Sequence, residues 1–243
     1  MTGSILKIIA AVTMLIDHAG LMLFPQHGWM RLIGRIAFPL YAYCIAEGFR
    51  YTRNRMRYFL QIFILGIGCQ LVYTIAERTL YLGILLTFSL SIVLMTAADG
   101  AVHSIAGEES LLDRLYRKIN GNQLPLTVSR ILNCILFPAV LGGVFWLTRI
   151  VEVDYGFFGI ILPLFAFLPE NAGCRKILFF CGMLALALDQ FLLYNSTVQF
   201  WSAMAIPILL AYNGHPGKYR MKWFFYIFYP AHMVVLYLIS MFI

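Results

Sequence analysis

The sequence predicts an all-α fold, a polytopic integral membrane bundle of about nine transmembrane helices, with eight to ten possible. Hydrophobic residues make up 61% of the 243 positions and charged residues only 12%, whereas soluble domains are about 25% charged. The mean hydropathy is +0.81, and apolar runs recur along the whole chain. These observations exclude an ordinary soluble enzyme and predict a single integral membrane domain over residues 1–243.

The candidate spans are apolar segments near residues 5–24, 30–49, 58–76, 79–98, 131–148, 155–168, 177–194, 197–212 and 223–243. The segments at 155–168 and 197–212 are short for a full crossing, so a tilted or half-buried position is an open alternative for both. The first segment has only Lys7 as a basic flank and is interrupted by Asp17 and His18. We therefore expect a permanent span there and not a cleaved signal.

The basic residues orient these spans, because cytoplasmic loops of membrane proteins carry an excess of Lys and Arg. Most of the 18 Lys and Arg residues fall on one side when nine spans alternate, chiefly in residues 50–57, 99–130, 169–176 and 213–222. This bias predicts a cytoplasmic N-terminus and a C-terminus outside. The lipid bilayer is thus an expected partner, and nucleic acid is not, because the basic residues do not form one soluble face.

The longest polar segment, residues 99–130, is predicted to be a cytoplasmic connector. Within it, Glu109, Leu112, Leu115 and Tyr116 have the spacing of a short amphipathic helix that lies on the membrane surface. A solvated connector is the alternative interpretation of the same residues.

Ionisable residues interrupt several apolar segments at the level of the outer half of the membrane. Each such group costs about 2.5–3.5 kcal/mol on insertion scales, so an interaction must offset it. Structural ion pairs between helices are one interpretation, for instance Arg31 or Arg35 with Asp17. A catalytic site with His18 as general base is the other. The candidate catalytic residues are His18, Asp17, Arg31, Arg35, Asp154 and Asp189.

Metal binding is not expected at this outer group, because one histidine with scattered carboxylates lacks the spacing of a ligand set. Asp17 and His18 are neighbours on a helix and point about 100° apart, so they cannot form one hydrogen-bonded dyad. Each side chain therefore needs its own partner.

A second polar group is predicted at the cytoplasmic side. Its turn, NGHPGKYRMK, is rich in donors that suit phosphate, and ordinary loop charge is the alternative. The candidate cofactor-binding residues are Glu47, Arg50, Arg53, Lys218, Lys222 and Tyr226. His232 follows Pro230 closely and is predicted to cap carbonyls that the proline leaves free.

Two stretches near the start resemble the opening of the TraX family, LKIIAAVTMLIDHAGLMLFP at 6–25 and RLIGRIAFPLYAYCIAEGFRYTRN at 31–54. DYG at 154–156 and KWFFYIFYPAHMVVLYLI at 222–239 are similar to later motifs of that family. The resemblance implies a polytopic protein of the bacterial inner membrane. The conjugative-plasmid member of the family is associated with N-terminal acetylation of pilin. The resemblance also implies a distant likeness to acyl-CoA-dependent membrane acyltransferases.

With this resemblance, the leading hypothesis is a membrane-embedded acyltransferase that uses acetyl-CoA as co-substrate. The acceptor would be an amine or hydroxyl at the outer face, such as a pilin-like N-terminus. His18 would remove the acceptor proton, Asp17 would orient the site, and Arg31 or Arg35 would stabilise the oxyanion. A small-solute or ion transporter and a non-catalytic assembly factor for a surface appendage are the alternatives.

Overall fold

The computed structural model describes residues 1–217 and 222–242 and confirms the all-α class. The α-helices are α1 (Gly3–Met22), α2 (Gly28–Gly34), α3 (Ala37–Tyr51), α4 (Arg55–Glu77), α5 (Ile84–Ala106), α6 (Leu111–Asn120), α7 (Leu126–Ile150), α8 (Gly156–Phe167), α9 (Ala172–Tyr194), α10 (Ala205–Leu210) and α11 (Lys222–Ser240). A 3-10 helix at Val198–Met204 precedes α10. Two short strands, β1 (Tyr81–Leu82) and β2 (Glu152–Val153), pair in parallel.

The apolar helices coincide with the predicted spans. Among the described residues, the segments long and apolar enough to cross a membrane are Gly3–Met22, Gly28–Tyr51, Arg55–Ile75, Ile84–Ala106, Leu126–Ile150 and Ala172–Tyr194. Shorter apolar helices occupy Gly156–Phe167, Val198–Leu210 and Tyr226–Ser240. Each predicted segment falls on one of these helices, and the chain is a membrane protein. A count of nine crossings stays a prediction.

The helices pack as two compact units. The terminal unit is built from both ends of the chain and holds α1–α3 and α9–α11 with the 3-10 helix. The central unit, Thr52–Leu168, holds α4–α8 and both strands. The prediction of a single domain over residues 1–243 stays a prediction.

In the terminal unit, α1 packs on α2, α3 and α11. Ala10 of α1 and Ala42 and Ala46 of α3 are buried, and small side chains allow helices to approach closely. Larger side chains that are fully buried include Leu40 and Phe49 of α3. Because these residues fill the interior, the polar groups of α1 are held between packed helices.

The predicted span at 30–49 lies in one apolar segment, Gly28–Tyr51. Its α-helical hydrogen bonding is interrupted at Arg35 and Ile36, whose N–H groups donate to the carbonyls three residues earlier. Gly34 stands directly before this break. A Cβ at Gly34 would overlap the Asp17 carboxylate, so the close approach of α2 to α1 requires glycine. Pro39 lies in the first turn of α3, where its missing N–H removes no helical hydrogen bond. The break places Arg31 and Arg35 beside α1.

In the central unit, α5 is the innermost span and packs against α4, α7 and α8. The span of α5 is 72% buried, whereas the spans of α4 and α7 are each only 11% buried. A core cluster of Val144, Val153 and Ile160 joins α7, β2 and α8. The outer surfaces of α4 and α7 are therefore the surfaces that face lipid.

The connector is shorter than the predicted 99–130, because α5 continues to Ala106 and α7 begins at Leu126. Asp99 does not end α5, since Arg55 of α4 pairs with its carboxylate. The helix ends at Gly107, whose φ of 82° is accessible to glycine. Inside the connector, α6 confirms the predicted amphipathic helix, and Ser110 with Asp113 forms its capping box.

Candidate functional site

His18 of α1 and His232 of α11 face each other in the terminal unit. Nδ1 of His18 lies 2.7 Å from Nε2 of His232. The two rings are nearly parallel, with an interplanar angle of 20° and centroids 5.0 Å apart. His232 is buried at 5% exposure, and His18 is half-buried. The two imidazoles therefore form a hydrogen-bonded pair that is largely shielded from solvent.

A second hydrogen bond indicates which ring nitrogen of each histidine carries a proton. Nδ1 of His232 lies 2.8 Å from the backbone carbonyl of Phe228. A carbonyl can only accept, so Nδ1 of His232 is protonated and its Nε2 is an acceptor in the neutral ring. His18 must then donate from Nδ1, and Nε2 of His18 holds the lone pair. The pair thus leaves Nε2 of His18 as the basic atom.

The predicted role of His232, to cap carbonyls that Pro230 leaves free, does not match its described hydrogen bond. Pro230 lacks an N–H and so donates no helical hydrogen bond to the carbonyl four residues earlier. His232 instead contacts the carbonyl of Phe228. This hydrogen bond holds the His232 ring with its Nε2 towards His18.

Asp17 pairs with the two arginines expected from the sequence. Nη1 of Arg31 lies 2.9 Å from one carboxylate oxygen, and Nη2 of Arg35 lies 3.7 Å from the other. Arg31 also donates to the Asp17 backbone carbonyl at 3.4 Å. Two guanidinium groups and one carboxylate leave a net positive charge at this cluster. Because Asp17 precedes His18 on α1, the positive charge lies next to the histidine pair in the chain.

The other two predicted catalytic carboxylates, Asp154 and Asp189, belong to different units of the fold. Asp189 is half-buried on α9. Asp154 belongs to the central unit, where the Tyr81 hydroxyl donates to its carboxylate at 2.8 Å and Thr87 donates to its backbone carbonyl at 3.0 Å. Burial and the adjacent Asp154 carboxylate raise the pKa of Tyr81. Asp154 thus joins the ends of α5 and β1, and catalytic roles for Asp154 and Asp189 stay predictions.

Within the predicted cofactor-binding group, Glu47 has two partners. Arg175 of α9 lies 2.8 Å from one carboxylate oxygen, and Tyr212 donates to the other at 3.2 Å. The Glu47 and Arg175 side chains are both close to buried. Arg50 donates to the Pro169 carbonyl at 3.0 Å. Glu47 is therefore neutralised inside the terminal unit, and its role at a phosphate site stays a prediction.

The remaining members of that group are Arg53, Tyr226, Lys218 and Lys222. Arg53 is exposed and belongs to the central unit, and Tyr226 is half-buried on α11. Lys218 and the side chain of Lys222 lie outside the described residues. A role for these residues in binding phosphate stays a prediction.

The turn before α11 has one described role. The carbonyls of His215 and Pro216 accept hydrogen bonds from the N–H groups of Gly3 at 2.7 Å and Ser4 at 3.1 Å. These contacts satisfy N–H groups in the first turn of α1, because the first N–H groups of a helix have no acceptor within that helix.

Two features of the terminal unit were missed by the sequence interpretation. His232 was assigned to helix repair alone, and Arg175 was counted only as loop charge. Each pairs with a residue far away in the chain, with separations of 214 positions for His18 and His232 and 128 for Glu47 and Arg175. No local spacing indicates such pairs, although a buried charge such as Glu47 does predict that some cation lies beside it.

A third missed cluster lies in the central unit. Arg55 of α4 donates to both oxygens of Asp99 in α5, one at 3.0 Å. His103 stands one turn after Asp99, and its Nδ1 lies 2.8 Å from the Asp99 carbonyl. The spacing of four residues between Asp99 and His103 was visible in the sequence, but both were assigned to the connector. The cluster instead joins α4 to α5.

Comparisons with known proteins identify a family and two partial relatives. The family model described as TraX protein matches residues 2–240. "Probable fimbrial assembly protein FimC, serogroup H1" of Dichelobacter nodosus is 32% identical over 73 residues, 28% of this chain and 30% of the relative. "Uncharacterized protein RP591" of Rickettsia prowazekii is 39% identical over 71 residues, 29% of this chain and 27% of the relative.

The matched segments are thus less than a third of each relative's length. No solved structure matches this chain. The family model, in contrast, covers nearly all of the chain and both of its units. The chain therefore belongs to the TraX family.

Proposed function

We propose that this protein is a membrane-embedded acyltransferase that moves an acetyl group from acetyl-CoA to an amine or hydroxyl acceptor. The observation that carries the proposal is the hydrogen bond between His18 and His232. It supports a base at Nε2 of His18 whose tautomer is set by His232 and, through it, by the Phe228 carbonyl. A histidine with a fixed tautomer and an orienting partner is the usual arrangement for a general base.

The reaction has two proton transfers at the same atom. Nε2 of His18 takes the proton of the acceptor N–H or O–H while the acceptor atom attacks the thioester carbonyl. The tetrahedral intermediate then collapses, the C–S bond breaks, and coenzyme A leaves as a thiolate. The protonated His18 returns its proton to that thiolate, so the base is regenerated.

The arginines of the Asp17 cluster would stabilise the intermediate. Negative charge develops on the carbonyl oxygen of the thioester during attack, and fixed positive groups favour that charge. Arg31 or Arg35 would supply the positive group, while Asp17 holds both guanidinium groups in place. This role agrees with the net positive charge beside His18.

Acetyl-CoA would enter from the cytoplasmic side of a bacterial inner membrane, and the acceptor would enter from outside. The phosphates would lie against Arg50, Arg53, Lys218 and Lys222, with Glu47 and Tyr226 next to them. The family resemblance supports a pilin-like N-terminus as acceptor.

A direct assay tests the proposal. The full chain in lipid nanodiscs would be incubated with radiolabelled acetyl-CoA and peptides that begin with a pilin-like N-terminus. We expect label on the peptide's α-amine, and a peptide with a blocked N-terminus is the control. If neither these peptides nor hydroxyl acceptors in a bacterial lipid extract become labelled, the enzymatic proposal fails.

A second candidate is a non-catalytic factor for assembly of a surface appendage. It is favoured by one relative, which is described as a probable fimbrial assembly protein. In that case the His18–His232 pair would only join α1 to α11. The same assay separates the candidates, because an assembly factor transfers no acetyl group to any acceptor.

A further inference from the structure

The central unit contains a cavity of about 330 Å³ among α4, α5, α6 and α7. This volume falls within the range of about 300–1,000 Å³ for small-molecule sites. The walls are almost entirely carbon and include Phe59 of α4, Ile92 of α5, Leu112 and Leu115 of α6, and Leu136 of α7. Such a lining fits a hydrocarbon chain and not a polar solute.

The wall of the cavity includes residues on the exposed surfaces of α4, α5 and α7. Helices α4 and α7 both pack on α5, and only 11% of each outer span is buried. Several wall residues are partly exposed at the surface, including Met56 at 50%, Val93 at 38% and Leu136 at 38%. The space is therefore a crevice between α4 and α7, with α5 as its floor, that a chain can enter sideways from the bilayer.

The amphipathic helix α6 closes one end of the crevice. Its N-terminal turn is tied to α7, because Ser129 donates to the Asp113 carboxylate at 2.8 Å and Asn133 donates to the Ser110 hydroxyl at 3.2 Å. These polar contacts fix α6 in position while its leucines line the crevice. The end of the crevice is therefore formed by α6, which its hydrogen bonds to α7 hold in place.

The helices at this end carry exposed basic residues beside two ion pairs, Arg55 with Asp99 and Arg117 with Glu109. Arg55 lines the crevice, and Arg57, Arg114 and Lys118 are exposed on α4 and α6. Basic residues beside an apolar surface attract the headgroups of anionic lipids. The apolar walls suit the acyl chain of an anionic lipid, and the basic residues suit its headgroup.

We propose that the crevice binds one acyl chain of an anionic phospholipid, with its phosphate beside the basic residues of α4 and α6. The site lies wholly in the central unit and does not depend on the acyltransferase proposal. It would fix a structural lipid against α6.

Photolabelling tests this proposal. The full chain would be placed in phosphatidylcholine nanodiscs that contain a trace of phosphatidylglycerol with a diazirine on its acyl chain. After illumination, mass spectrometry would locate the label. We expect labelling at Ile92, Leu112 and Leu136 above that of the outward-facing Ile135. A parallel sample with diazirine-labelled phosphatidylcholine should give weaker labelling at these positions.

Substitutions at neighbouring positions sharpen the test. Leu136→Trp should fill the crevice and reduce its labelling to background, whereas Ile135→Trp should leave it unchanged. Val93→Trp provides a second way to fill the crevice if Leu136→Trp does not fold. Crevice labelling that survives both filling variants would overturn the proposal.

A separate experiment tests the preference for an anionic headgroup. The double variant Arg114→Gln/Lys118→Gln should remove the preference for phosphatidylglycerol over phosphatidylcholine. Equal labelling by the two lipids in the unsubstituted protein would overturn the assignment of an anionic lipid.

Discussion

Nδ1 of His18 and Nε2 of His232 lie 2.7 Å apart, although 214 positions separate the two residues in the chain. The bond joins the first and last helices of the terminal unit. Because His232 also donates to the Phe228 carbonyl, the proton positions of both rings follow from one backbone acceptor. A helix carbonyl on α11 thus determines which nitrogen of His18 is basic.

The first prediction concerns His232 as a positioning residue. Replacement of His232 by Phe removes the acceptor for His18 Nδ1, so the His18 tautomer is no longer fixed. We expect kcat for acetyl transfer to fall roughly 10–100-fold, the range for groups that orient a functional histidine, with little change in KM. His232→Gln should recover part of the loss, because its amide oxygen can accept from His18. Equal kcat values for the Phe and Gln variants would contradict an orienting role.

The second prediction concerns the pair between Glu47 and Arg175. Replacement of Arg175 by Met leaves the Glu47 carboxylate nearly buried without its cation. Loss of one partner of a buried pair costs about 3–5 kcal/mol, so we expect a clear fall in melting temperature in detergent. The double variant Glu47→Leu/Arg175→Met should recover much of it, since no buried charge remains.

An exposed ion pair gives the matched control for this prediction. Arg117 and Glu109 lie 2.6 Å apart, and both side chains are more than 40% exposed. Surface pairs contribute about 0–1 kcal/mol, so Arg117→Met should barely change the melting temperature. If the two Arg→Met variants melt alike, the Glu47–Arg175 pair does not stabilise the terminal unit.

The third prediction is a pH dependence of the N-terminus of α6. Burial raises the pKa of the Asp113 carboxyl, but hydrogen bonds from Ser129 and Ser110 outweigh burial and hold the pKa below its ordinary value. The folded pKa is thus below the unfolded value, which is about 3.9. The stabilisation is fully present above the unfolded pKa and is lost as the pH falls through the folded pKa.

Hydrogen exchange of α6 amides between pH 6 and pH 3 measures this effect. We expect protection in α6 to fall below about pH 4 by more than the intrinsic pH dependence of exchange. Asp113→Asn is the control, because its side chain does not titrate and its protection should lack this extra fall. Identical profiles for the two proteins would show that Asp113 does not stabilise α6 through its charge.

The fourth prediction concerns orientation. The basic bias predicts that residues 50–57 and 213–222 face the cytoplasm and that Ile243, which lies outside the described residues, is outside. An alkaline phosphatase fusion after Ile243 should be active, because that reporter works only outside the cytoplasm. Activity of a cytoplasmic reporter at the same position would reverse the expected orientation or change the count of spans.

The helices themselves were accessible to sequence reasoning. Hydrophobicity along the chain is a local property, and segments such as 131–148 and 177–194 fall inside α7 and α9. The ends of the helices were harder to predict from the sequence, because an ionisable residue was taken to end a span. Asp99 and His103 lie inside α5, since Arg55 offsets the charge of Asp99. That offset depends on a contact between helices and leaves no local pattern.

The candidate site was accessible only in part. The pairing of Asp17 with Arg31 could be anticipated, because few cations occur at that depth in the neighbouring segments. The partner of His18 could not be anticipated from charge, since the partner is another neutral imidazole on the last helix. Its nearest clue was His232 itself, a polar residue within an apolar segment.

The central claim is that Nε2 of His18 acts as a general base, and turnover per folded molecule of His18→Gln tests it most directly. Glutamine keeps a hydrogen-bonding side chain but cannot take a proton, so we expect a loss of roughly 10²–10⁴-fold at an unchanged melting temperature. His27→Gln, at an exposed histidine outside the pair, should keep parental turnover. Near-parental turnover of His18→Gln would contradict the account and favour an assembly function.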